Sequence, residues 1–207
     1  MNRTSDPTSC PDVYVAPIPA DVTLTPVLPP ERQRLIEQTR NRSAKIRRYW
    51  VWKLLERAAG QSFSLSLSDL SFRYRDGVWT CREFCFSLSH SQNAVAVAVS
   101  RSPVGVDLEH AGAFAVRFSD PERLRQAARR ICTEQELPQI REPDDLLALW
   151  TKKESIFKRQ SGGTFSPGRI PADSFPTITR AVELPERYLL SLCADMPGQC
   201  RLFVVKE

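Results

Sequence analysis

The chain has 207 residues, 42% hydrophobic and 26% charged, with a formal charge of +5 from 29 basic and 24 acidic side chains. That length can bury one good core or two small lobes, and no apolar run approaches the roughly 18 residues that a membrane span requires. The polar N-terminus has no charged-then-apolar signal pattern, so a cytoplasmic protein off the membrane is expected. The modest positive excess suits an anionic small molecule, an acidic protein or nucleic acid, and charge alone does not choose among them.

Residues 1–30 are proline-rich and weakly periodic, with one strand expected at Val13–Ile18. Pro29-Pro30 then opens a helix expected from Glu31 to about Ala59, with Glu31 near its positive end and Gly60 as its stop. Ile46, Tyr49, Trp50, Leu54 and Ala58 supply its apolar stripe. The middle reads as β structure. A turn at Asp76-Gly77 separates Phe72–Tyr74 from Trp79, and three further strands are expected at Phe84–Leu88, Asn93–Ser100 and Val104–Leu108. The small residues of Ala94–Val99 suit a strand pressed against a helix. Helices are expected from Pro121 to about Ile131, at Thr133–Leu137, and from Pro143 to about Gln160, the last with Asp144 and Asp145 in its first turn. Tyr188–Cys193 and Arg201–Val205 then look like a closing hairpin around Pro197-Gly198. Helix then strands, followed by helix then strands again, predicts an α+β fold of two similar lobes, 1–102 and 103–207.

Cys10, Cys81, Cys85, Cys132, Cys193 and Cys200 show no paired C-x-x-C spacing, and the only histidines are His90 and His110, so a zinc site is not expected. Asp107 and Glu109 stand two apart at a strand end and project to one side. Hard oxygen donors of this kind suit Mg²⁺, although a solvated strand end accounts for the pair more readily when it is taken alone. Glu154 and Lys158 lie one helical turn apart, the spacing of an exposed ion pair and equally of a metal ligand beside a phosphate-binding cation. Trp150 shares their face, as a core residue or as a flank that partly excludes water. Ser87-Leu88-Ser89-His90-Ser91 gathers hydroxyls and an imidazole where a strand ends, which is either an anion site or an ordinary surface turn.

Three of these fragments occur in a specific order. Phe86-Ser87-Leu88-Ser89-His90-Ser91, Gly105-Val106-Asp107-Leu108-Glu109 and Trp150-Thr151-Lys152-Lys153-Glu154-Ser155-Ile156-Phe157-Lys158 resemble the signature blocks F-x-x-S-H-S, G-x-D-x-E and W-x-x-K-E-x-x-x-K of the phosphopantetheinyl transferase superfamily, in its Sfp-type branch. The resemblance implies two α+β lobes related by pseudo-twofold symmetry, with coenzyme A in the cleft between them. It implies Mg²⁺-dependent transfer of 4'-phosphopantetheine to a serine of an acyl or peptidyl carrier protein, as in a holo-[acyl-carrier-protein] synthase, with release of 3',5'-ADP. Asp107, Glu109 and Glu154 would then be the metal ligands and Glu154 the base. Lys158 would touch the pyrophosphate, and Ser89 and His90 would hold coenzyme phosphates. The G-K-P stretch common in that branch is absent; Arg73–Trp79 stands there and Arg75 is the substitute cation. Arg47, which begins an R-x-x-x-x-x-x-L-L match on the first helix, is expected at the coenzyme's 3'-phosphate ahead of Arg32.

The main rival is a superfamily member specialised for a non-standard acceptor, or one acting as a binding protein. A nucleic-acid module is disfavoured because the chain has no zinc-finger, RNP-like or Gly-rich signature. A monomer with an acidic carrier partner is expected, since a double-lobed chain can form its own cleft.

Overall fold

A computed structural model describes residues 10–27, 29–160 and 162–206. It is an α+β fold in which two long helices each lie on a sheet, the first mixed and the second antiparallel.

The single helix expected over 31–59 is two helices, α1 (Pro30–Glu37) and α2 (Arg42–Phe63). Asn41 causes the break: its backbone is extended and its side chain accepts the Ala44 N–H at 2.9 Å, which starts a new helix. Gly60 does not stop α2. A helical glycine costs only about 1 kcal/mol, and Ala58 and Ala59 beside it are fully buried. Ser64 ends the helix in the left-handed region (φ 57°), with its N–H returned to Ala59 and Gly60 carbonyls.

The strands β1 (Asp12–Pro17), β4 (Cys85–Ser91), β5 (Ala94–Ser100) and β9 (Arg201–Val204) form one sheet in the order β4-β5-β1-β9. Between α2 and β4 stands a hairpin of β2 (Phe72–Arg75) and β3 (Val78–Cys81). Asp76 and Gly77 turn it with φ of 51° and 82°, the two positive values of a tight hairpin turn. The second sheet, in the order β6-β8-β7, comprises β6 (Gly105–His110), β7 (Thr177–Leu184) and β8 (Glu186–Cys193). Helices α3 (Ala111–Arg117), α4 (Pro121–Ile131) and α5 (Pro143–Gln160) separate β6 from β7.

Two expectations fail in the second half. No α-helix forms at 133–137, and only a short 3-10 turn follows at Leu137–Gln139. There the Glu136 side chain accepts Thr133 N–H (2.7 Å) and bonds across to another helix. The closing hairpin does not form either. β8 pairs with β7, and β9 crosses to the other sheet to run parallel to β1. Its register is fixed by Arg201, which donates twice to the buried Asp12 carboxylate (2.6 and 2.7 Å), and by Phe203 stacked on Tyr14 at 4.7 Å.

Strand β5 is buried throughout, and its alternation assigns two cores. Val95, Val97 and Val99 face α2, where Trp52, Leu55 and Ala58 meet them. Ala94, Ala96 and Ala98, with Val13 and Val15, pack on Val106, Leu108, Tyr188 and Leu192 of the second sheet. The small residues expected against a helix therefore admit the second sheet instead. A third cluster joins Leu124, Ala128 and Ile131 of α4 to Leu146 of α5.

Candidate active site

Alternation along β6 sends Asp107 and Glu109 to the same side, while α5 carries Glu154 and Lys158 one turn apart. Gly105 lets these elements meet. A Cβ there would lie 1.9 Å from Ser155 O and 2.5 Å from Arg159 N, so only glycine admits the α5 backbone this close.

Lys158 is the hub. Its Nζ donates to Asp107 Oδ1 at 2.7 Å and to Ser89 Oγ at 3.2 Å, and it stands 3.8 Å from Glu154 Oε2. Burial would lower its pKa, but Asp107, Glu154 and Glu109 together raise it, so the ammonium stays charged. The carboxylates show the reverse. Burial pushes Glu154 up to about 7 against the pull of Lys158, and Asp107 and Glu109 add repulsion. Glu109 is raised by burial and then by Asp107, opposed by Ser91, Lys158 and Trp150. Ser89 Oγ donates to Asp107 Oδ1 (2.9 Å) and Ser91 Oγ to Glu109 Oε2 (2.7 Å). Asp107 Oδ2 is buried with no hydrogen-bond partner among the described residues.

These groups open onto a cavity of about 980 Å³ that Arg32, Arg48, Tyr74 and Trp79 also line. That volume lies in the range of small-molecule and cofactor sites. Arg32 is 8% exposed, lies over the Trp52 ring at 4.8 Å and donates to Arg48 O at 2.5 Å. Burial and then Arg48 lower its pKa to about 10, and its Nε has no hydrogen-bond partner among the described residues. His90 also lines the cavity. Desolvation by the wall, followed by Lys158, Arg47 and Arg32, pushes it down to about 4. Because His90 as a whole stays exposed, the cations are the steadier of these causes.

Of the residues singled out from the sequence, Ser89, His90, Asp107, Glu109, Glu154 and Lys158 all border this cavity. Arg47 and Arg75 are not among its lining residues. Arg47 is near enough to influence His90, whereas the Arg75 side chain is 91% exposed beside Asp76 at the hairpin tip. Arg32 and Arg48 are the wall cations. The sequence signal for Arg32 is its place in the first turn after Pro29-Pro30; Arg48 has none beyond the basic run.

Lys153, the other motif lysine, is fully buried and points away from these acids. Its Nζ donates to Ile131 O (2.7 Å), Glu136 Oε2 (2.5 Å) and Pro167 O (3.0 Å). It is a strut that fixes α5 against the end of α4, the turn at Glu136 and the segment at Pro167. His110 caps α3 by accepting Ala113 N–H and faces Glu186 at 2.9 Å.

The donor chemistry, hard carboxylate oxygens with one buried orphan, fits a divalent cation that shares its sphere with water and substrate phosphate. Among the described residues no group of three Asp, Glu, His or Cys side chains is already gathered closely enough to hold a metal ion. No helix among those residues is long and apolar enough to cross a membrane.

The sequence model of the 4'-phosphopantetheinyl transferase superfamily matches residues 103–207, the half that carries both acids of β6 and all of α5. A 4'-phosphopantetheinyl transferase of Bacillus subtilis is 25% identical, with 71% of this chain and 73% of that protein covered. The chain belongs to the 4'-phosphopantetheinyl transferase superfamily.

Proposed function

We propose that the chain is a transferase of the Sfp type, moving the 4'-phosphopantetheine arm of coenzyme A to a serine of an acyl or peptidyl carrier protein and releasing 3',5'-ADP. The observation that carries this reading is the convergence of Asp107, Glu154 and Lys158 on a cavity that Arg32 and Arg48 also line. Phosphates held in such a cavity meet several fixed cations. The two helix-on-sheet units serve in this reading as lobes related by pseudo-twofold symmetry, 1–102 and 103–207, with β9 crossing between them.

The acceptor serine Oγ attacks the phosphorus that bears the pantetheine arm. The bond from that phosphorus to the ADP oxygen breaks, and the serine proton passes to Glu154 Oε. Burial and the neighbouring acids make Glu154 the more basic of these carboxylates in the cation-free site, in keeping with that work. The Lys158 ammonium faces the charge that develops on the pyrophosphate oxygens. Asp107, Glu109 and Glu154 would hold Mg²⁺, which supplies Lewis-acid polarisation of the phosphoryl oxygens when bound. Neutral His90 donates or accepts one hydrogen bond at the wall, and Arg32 and Arg48 bind the terminal phosphate of the coenzyme.

The test is incubation with coenzyme A, MgCl₂ and an apo-carrier, read by intact mass. Gain of one phosphopantetheine arm on the carrier serine is the expected result. Coenzyme binding with no mass gain on any acyl or peptidyl carrier would turn the reading toward a binding protein or another acceptor.

A further inference from the structure

The two sheets do not meet through a backbone ladder. Strand β4 sends Ser87, Ser89 and Ser91 to the face that also carries Ala98, Ala96 and Ala94 of β5, and β6 lies across that face. Because β6 pairs with β8, alternate N–H groups of β6 point away from its sheet. Those donors are the ones the serines take. Ser87 Oγ accepts Val106 N–H at 3.0 Å, Ser89 Oγ accepts Leu108 N–H at 3.1 Å, and Ser91 Oγ accepts His110 N–H at 3.2 Å. The chain offset is 19 residues each time, so the row is in register. A buried strand edge, which would otherwise leave donors unmade, is satisfied by the smallest side chain that carries a hydroxyl.

Once it has accepted a backbone N–H, each hydroxyl still has its own proton to give. Ser89 gives it to Asp107 and Ser91 to Glu109, so each serine grips a carboxylate and the N–H that follows it. The third serine has no such target, because position 105 is glycine. Ser87 therefore makes the seam bond without holding an acid, while Ser91 makes the seam bond and holds one. Ser89 is a less clean case because it also accepts from Lys158, whereas Ser87, which borders the cavity as Ser89 does, touches neither an acid nor the lysine.

We propose that Ser91 is a positioning residue: its hydroxyl, held by the His110 N–H, fixes the Glu109 carboxylate in the orientation used for the divalent cation, so that a strand of the first sheet sets the acid geometry of the second. The proposal rests on the reading of Glu109 as a cation ligand. Partners that orient a ligating carboxylate typically influence cation affinity by 10- to 100-fold.

The test compares wild type with Ser91→Ala, Ser91→Thr and Ser87→Ala, each saturated with coenzyme A and titrated with MgCl₂. Two readouts are taken: the Mg²⁺-dependent rise in melting temperature, and the half-saturating Mg²⁺ for transfer. Both alanine variants lose a seam bond and melt earlier. Only Ser91→Ala raises the half-saturating Mg²⁺, by about tenfold, in both readouts and with kcat at saturating Mg²⁺ largely kept. Ser91→Thr retains the hydroxyl and restores the wild-type value. Should Ser91→Ala fail to fold, Ser91→Cys, whose thiol is a weak donor, stands in for it. Equal Mg²⁺ shifts in Ser87→Ala and Ser91→Ala, or no shift in Ser91→Ala, overturn the positioning role while leaving the proposed transfer intact. A wild-type protein that transfers the arm with no dependence on Mg²⁺ overturns the role of Glu109 and the positioning role with it.

Discussion

The two helix-on-sheet units solve the same packing problem with opposite chemistry. Helix α2 buries Val51, Trp52, Leu54, Leu55 and two alanines against the valines of β5, and Trp52 is ringed by Phe72, Trp79 and Phe86. Helix α5 buries Thr151, Lys153 and Ser155 as well as Leu146, Leu147 and Ile156. Its polar groups are matched: Thr151 accepts from Ser191 at 2.8 Å, and Lys153 makes three bonds. An apolar contact fixes distance and tolerates rotation, whereas directional bonds fix rotation about the helix axis. The unit that must aim Glu154 and Lys158 is the one built from directional bonds. The other forms a wall and presents Arg32.

Substitutions that trade one chemistry for the other break this contrast. The largest expected effect is at the reacting end. Glu154→Gln keeps the shape and removes the proton acceptor, so kcat for carrier modification falls by about 10²–10⁴-fold, and a rate within a few-fold of wild type would remove Glu154 from that role. Next comes the strut. Lys153→Met leaves Glu136 buried without its cation and costs about 3–5 kcal/mol. Trp52→Ala in the apolar unit costs a similar 3–5 kcal/mol by opening a cavity. The two are told apart by a second change: Glu136→Leu beside Lys153→Met recovers much of the loss in denaturant melts. If the double variant is no better than the single one, the strut is not acting through charge.

A smaller effect is expected with pH. In cation-free protein Glu154 titrates near 7 against an ordinary 4.5, so between those values the folded state holds a proton that the unfolded chain has released. Stability from this group is therefore present at low pH and declines as pH rises through about 7, by on the order of 2–3 kcal/mol. The difference between wild type and Glu154→Gln, from denaturant melts in EDTA at pH 5 and pH 8, checks it; a flat difference contradicts the burial of that carboxyl. Smallest is the wall. Arg32→Gln raises KM for coenzyme A about tenfold with kcat little changed, as loss of one charged hydrogen-bonding group does. Arg75→Ala stays near wild type, and the reverse ranking would move the phosphate contact to the hairpin tip.

The acid-and-lysine constellation is legible only through the order of the three motif blocks, since each spacing alone, two residues on a strand or four on a helix, has an ordinary explanation, and the close contact at Gly105 is set by tertiary packing. The Asp76-Gly77 turn was legible because its signal is local. What escaped is set by tertiary partners. The break at Asn41 competes with an unbroken helical pattern and prevails through one side-chain cap. Thr177–Leu184 follows a proline-rich stretch that hides its alternation, so β8 was given the wrong neighbour. Arg47 and Arg32 look alike as members of a basic run, and only the Trp52 platform and the Arg48 carbonyl hold Arg32 at the cavity.

The parallel strand β9 has a consequence for how the molecule is made. Asp12 and Arg201, which clamp β1 to β9, are 189 positions apart in the chain. During synthesis, β1 therefore waits with one edge open until almost two hundred further residues have left the ribosome, and long-range closures of this kind are slow. The first sheet has a bare flank for that interval, and a chaperone or a neighbouring nascent chain would find Val13 and Tyr14 there.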